Sequence, residues 1–95
     1  TPMTLIPHGE PPPEAPEGQS CAWLALSRAQ AEHAPDAYAR YWLSEDGNLE
    51  AAAQALFSLL RKIDSLSHEH LYVETPPRQG IGLAMLDRLQ RAATK

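Results

Sequence analysis

The residues best spaced for chemistry lie between Val73 and Leu89, in the run Val-Glu-Thr-Pro-Pro-Arg-Gln-Gly-Ile-Gly-Leu-Ala-Met-Leu-Asp-Arg-Leu. Val73 and Glu74 read as the end of a strand. Pro76, Pro77 and Gly80 read as a turn, and an amphipathic helix opens at Gly82. Free backbone N–H groups at a helix start attract anions, so α/β proteins often hold ligands at such a junction. Gly80, Gly82 and Arg78 are therefore the candidate ligand-binding residues, for a nucleotide or another anion. The dinucleotide fingerprint needs Gly or Ala three residues beyond its second glycine, and Met85 stands there. The acidic residue expected about 20 positions later would fall beyond Lys95. No Gly-Lys-Ser or Gly-Lys-Thr of a phosphate loop occurs. The alternative is that both glycines only turn the chain and let the last helix lie close on a sheet.

Other reactive side chains are sparse. On an extended chain His68 and His70 project from the same face, the geometry of a chelating pair. No third ligand stands at a recognisable spacing, so an exposed strand entrance is the competing reading and no metal site is assigned. His8 and His33 are remote in sequence. Cys21 has no partner base or cationic neighbour nearby, so it reads as a small buried residue and not a nucleophile. Arg78, Arg88, Arg91 and Lys95 place half of the eight basic residues in the last 18 positions. They suit the negative end of a helix dipole as a solvated face. Arg88 and Arg91 are alternatively a contact patch for RNA or a protein partner. No Ser-His-Asp set or carboxylate pair emerges, so no catalytic residue is assigned.

These groups need elements to hold them. Met3 to Pro7 reads as a short strand at a sheet edge, where proline is tolerated. Ser20 to Ser27 is apolar without alternation, the mark of a central parallel strand. Arg28 to Ala34 reads as a short helical turn stopped by Pro35. Tyr38 to Ser44 is a strand with Tyr38, Arg40 and Trp42 on one face and Tyr41 and Leu43 on the other. Asn48 is an N-cap for a helix from Leu49 to about Ser65, with Glu50 in its first turn. Leu49, Ala52, Ala53, Leu56, Leu60 and Ile63 form its apolar face, widened by Phe57 and Leu59. A strand follows near 68–74, then a helix near 81–93 that buries Ile81, Met85, Leu89 and Ala92 with Leu86 beside them. Residues 10–18 hold four of the nine prolines and read as an extended connection; a ligand for a proline-recognition module is the other reading. The order strand-helix-strand-helix implies a right-handed crossover and a mostly parallel sheet of about four strands. The expected fold is a small three-layer, Rossmann-like α/β domain with two main helices.

Ninety-five residues, 43% of them hydrophobic, suffice for one core and one domain, residues 1–95. A net charge of −4 argues against a free-standing nucleic-acid binder, which needs a basic face. One cysteine permits no disulfide within the chain and no cysteine-based zinc site. No apolar run approaches the roughly 20 residues of a membrane span, and the first residues do not read as a signal peptide. The expected setting is the cytoplasm. Thr1 and Pro2 in place of an initiator Met lead to the expectation of a fragment.

The second half of the chain resembles a known family. Leu56-Phe57, Leu60-Arg61 and Asp64 fit a family segment LF-x-x-LR-x-x-D. Glu74, Pro76-Pro77, Gly80-Ile81-Gly82, Ala84, Asp87-Arg88-Leu89 and Ala92-Ala93 fit its ending E-x-PP-x-x-GLG-x-A-x-x-DRL-x-x-AA. This is the C-terminal domain of the long form of L-threonylcarbamoyladenylate synthase. The match is specific over about residues 44–93 and collinear over residues 3–43. The resemblance implies a small Rossmann-like accessory domain, joined by a linker to an N-terminal YrdC-type catalytic domain as its intramolecular partner. The parent would be a nucleotidyltransferase using ATP, with Mg, to make threonylcarbamoyl-AMP from threonine and bicarbonate for tRNA modification. tRNA would be met only through that pathway. The linker and catalytic domain are not in this sequence, so no catalytic residue carries over and no cofactor is expected in this domain. The family usually has a helix between its first two strands, where this chain has the proline-rich segment. The rivals are a nucleotide- or anion-binding module using the Pro76–Gly82 loop and, behind it, an independent enzyme.

Overall fold

Four apolar stretches become strands: Met3–Ile6 (β1), Cys21–Ser27 (β2), Tyr38–Ser44 (β3) and His70–Glu74 (β4). The computed structural model describes residues 2–15, 17–66 and 68–93. Every strand pair is parallel, in the order β1-β4-β2-β3. β2 is central and nearly all its side chains are buried, which accounts for its unbroken apolarity. β1 lies at an edge, where Pro2 and Pro7 interrupt no ladder.

Three helices cover the sheet: Arg28–Glu32 (α1), Leu49–Ser65 (α2) and Ile81–Ala93 (α3). Ser27 ends β2 and also caps α1, its hydroxyl accepting from the Gln30 N–H at 3.3 Å. Asn48 caps α2 by accepting from the Ala51 N–H at 3.0 Å. α2 and α3 lie on one face, where Ala52, Leu56, Ile63, Met85 and Leu89 pack on Leu24, Leu26, Leu43, Leu71 and Val73. On the other face Ala31 and Ala34 close over Cys21, Trp23, Ala25 and Tyr38. The result is the expected three-layer α/β arrangement with two long helices.

The proline-rich segment carries the chain from β1 past β4 to β2 without a helix. Ala15 packs on the Trp23–Tyr38 side, and the Tyr38 hydroxyl donates to the Pro13 carbonyl at 2.6 Å. The segment thus lies over the face that α1 leaves open. Pro16 is outside the described residues, as are Thr1, Ser67, Thr94 and Lys95.

Three expectations need correcting. Phe57 does not widen the buried face of α2; it is 52% exposed. Ile81 is 44% exposed, because the last helix turns Met85, Leu86 and Leu89 inward and leaves its first residue outside. His68 and His70 do not share a face. His68 precedes β4 and bonds Tyr41 and Ser20, whereas His70 stacks on Tyr72 and bonds Thr4. The alternation argument fails because the strand begins only at His70.

Burial pushes the Tyr38 phenol up to about 12, helped by Tyr72 and Cys21 beside it. The unfolded phenol ionises near 10. Stability drawn from this group is therefore complete below about pH 10 and is lost as pH rises towards about 12. Absorbance titration should show one of the three tyrosines ionising late, together with unfolding.

Candidate functional site

Parallel α/β sheets hold ligands beyond the carboxyl ends of their strands, where successive connections leave on opposite faces. Here that point falls between β2 and β4. β2 runs into α1 on one face, and β4 runs into α3 on the other. The ladder between them stops at Leu24–Val73, whereas β1–β4 continues to Ile6–Glu74 and β2–β3 to Ser27–Ser44. The sheet therefore splits at this crevice.

Glu74 fills the split. Its side chain is fully buried, yet each carboxylate oxygen accepts a backbone N–H. Oε1 takes the Leu26 N–H at 2.8 Å and Oε2 takes the Gly9 N–H at 2.9 Å. Leu26 would have lost its partner where the ladder ends, so the side chain replaces a missing strand bond. Gly9 lies in the turn after β1 at φ +84°, a conformation that favours glycine. His8 stands beside it, with Nδ1 3.1 Å from the Thr75 carbonyl and 3.5 Å from Glu74 Oε2. Both neighbours are acceptors, so Nδ1 carries the proton. One carboxylate thus ties the ends of β1, β2 and β4 together, and the chain itself occupies the place a ligand would take.

The candidate residues Gly80, Gly82 and Arg78 come together around the start of α3. Gly80 makes the turn at φ +53°. Gly82 is buried, and a Cβ there would collide with the Pro77 carbonyl oxygen. The close approach is thus between helix and turn, not helix and sheet. The Gly82 N–H already donates to Gln79 O at 2.9 Å and the Leu83 N–H to Gly80 O at 3.1 Å. Two donors of a would-be anion cradle are spent within the turn.

Arg78 is exposed at the rim of a 340 Å³ cleft between β1 and α3. A larger cleft of 670 Å³ opens at the opposite end of the sheet, lined by Met3, Leu60, Ile63 and Leu71. Arg88 lies over the Phe57 ring, 5.0 Å from its centroid, and Arg91 pairs with Asp87 at 3.1 Å. Lys95, the fourth member of that basic cluster, lies outside the described residues.

Cys21 is buried, and burial, with Glu69 nearby, pushes its thiol up, so the reactive thiolate is disfavoured. Among the described residues no three His, Cys, Asp or Glu side chains gather as a metal site, and no helix is long and apolar enough to cross a membrane.

The model of one protein family, described as "Threonylcarbamoyl-AMP synthase, C-terminal domain", matches residues 1–94. The chain belongs to this family. Comparison with curated proteins and with solved structures gave no match. Membership places the chain in the context of threonylcarbamoyladenosine modification of tRNA and implies a linked catalytic domain in the parent protein. Glu74 is the residue that reading along the sequence missed. Its only signal there was its place in the Glu-x-Pro-Pro motif, and nothing in the spacing marked it as buried.

Two substitutions test the construction of this end of the sheet. Glu74→Gln places an amide donor against a backbone donor and should lower stability by about 2 kcal/mol in urea denaturation. Gly82→Ala should cost about 1–3 kcal/mol in the same measurement, because either helix or turn must move.

Proposed function

We propose that this chain is a non-catalytic accessory domain that packs on the YrdC-type catalytic domain of a threonylcarbamoyl-AMP synthase. Working in the cytoplasm, it positions that domain and its linker while the catalytic domain uses ATP with Mg to activate threonine and bicarbonate. tRNA is reached only through the product. The family match across residues 1–94 carries the reading.

The surface of the α2–α3 layer supplies a contact suited to such packing. Ile81, Ala84 and Arg88 recur at helical spacing on one stripe of α3. Arg88 covers Phe57 of α2, which joins the end of that stripe to the ring. Phe57 and Ile81 are two of four large apolar side chains left exposed among the described residues. An apolar centre beside an arginine is the composition of a protein contact, since aromatic and arginine side chains carry much of interface energy. An RNA face is less well supported, because net charge is −4 and Arg91 is paired with Asp87.

In the parent enzyme, Phe57→Asp should reduce threonylcarbamoyl-AMP formation by roughly tenfold, with the unfolding midpoint of this domain unchanged. Turnover equal to wild type, with no loss of association between separately produced domains, would overturn the packing role.

A further inference from the structure

β1 is an edge strand without the usual guards. Met3–Ile6 carries no charge and no proline, the devices by which exposed edges resist pairing. The carbonyls of Pro2 and Ile6 accept from the Leu71 and Thr75 N–H groups at 2.9 Å, so they face β4. Backbone groups alternate sides along a strand. Those of Thr4 therefore also face β4, and those of Met3 and Leu5 face the open edge. Two donors and two acceptors stand there in a row.

The sheet face beside this edge is grooved. Met3 and Leu5 pack on the α2–α3 side. Met3 lines the 670 Å³ cleft and Leu5 lines the 340 Å³ cleft. The opposite wall comes from α3, with Leu86 and Gln90 at the smaller cleft and Ala93 at the larger. These three positions recur at helical spacing and form one stripe. The two clefts thus lie in line between the same strand and the same helix. Side chains two apart on a strand are about 7 Å apart and share a face. A strand added at the edge would keep step with Met3 and Leu5 and bring its own alternate side chains beside both clefts.

The charges at the two ends differ. The larger cleft carries one of each sign, Arg61 and Asp64. The smaller carries Arg78, which has no hydrogen bond or ion pair among the described residues. We propose that this groove takes an extended segment of another protein as a fifth, outer strand, with apolar side chains at alternate positions and an acidic residue at the end beside Arg78. Backbone bonds to Met3 and Leu5 hold the segment, and the clefts select its side chains. Leu86 and Gln90 lie on the opposite side of α3 from Ile81 and Arg88, so the proposal does not depend on the packing role.

The test is a titration of the ¹⁵N-labelled chain with the peptide Val-Thr-Val-Thr-Val-Glu, capped at both ends. The Met3 and Leu5 amides should gain protection from hydrogen exchange as the peptide saturates, while Thr4 and Ile6, already bonded to β4, change little. Two N-methylated forms of the peptide, each blocking alternate amides, should differ in affinity by at least about tenfold. Arg78→Ala should erase the preference for the glutamate-ended peptide over a lysine-ended one. No saturable change at Met3 and Leu5 up to about 10 mM peptide would overturn the groove, as would equal binding of the two methylated forms. A chain that self-associates, with Met3 and Leu5 protected before any peptide is added, would place a second copy on the edge and overturn the proposal as well.

Discussion

The carboxylate of Glu74 is the constraint on which this end of the molecule depends. A parallel sheet whose helices leave on opposite faces must part at the point of reversal, and the backbone groups there lose their ladder. A buried N–H without a partner costs on the order of 1–3 kcal/mol. Glu74 answers one such group, the buried N–H of Leu26, and its second oxygen takes the part-buried N–H of Gly9, from a position with no solvent exposure. Burying a carboxylate is itself costly, and the two charge-assisted bonds are what offset that cost. An amide side chain has one oxygen and could satisfy only one of the two donors.

This constraint explains why the sequence was legible in some respects and not others. The strands and both long helices follow from local rules. Asn48 caps α2, Pro35 bars helix beyond α1, and the unbroken apolar run at Cys21–Ser27 is a buried parallel strand. The Glu74 bonds join residues 48 and 65 positions apart. No periodicity marks such a contact, because it depends on strand order, and the order β1-β4-β2-β3 is not a local property. The same limit governs the helix faces. Spacing placed Phe57 at the border of one apolar stripe and Ile81 within the other, and only the packing of the helices decides that both remain outside. The histidines failed for a simpler reason, since a face argument needs a strand and His68 precedes it.

The motif that carries the family resemblance thereby acquires a physical reading. In Glu-x-Pro-Pro, Glu74 closes the sheet and Pro77 offers the carbonyl against which Gly82 sits. In the glycine pair, Gly80 supplies the turn and Gly82 the close approach. Four motif positions thus account for one geometry: the exit of β4 and its passage into α3. This favours a structural origin for the motif over a nucleotide fingerprint, since each glycine is already used.

α3 then has three distinct sides. Met85 and Leu89 face the core. Ile81 and Arg88 face outward, with Arg88 over the Phe57 ring. Leu86 and Gln90 border the cleft along β1. Glu74 and its neighbours fix where the helix begins, so they also fix how the outer stripe and the cleft lie relative to one another. A change at the split would shift the whole helix and disturb both surfaces together. A change at Arg78 or Phe57, both exposed, would disturb only one. That difference separates residues that hold the domain in shape from residues through which it can act.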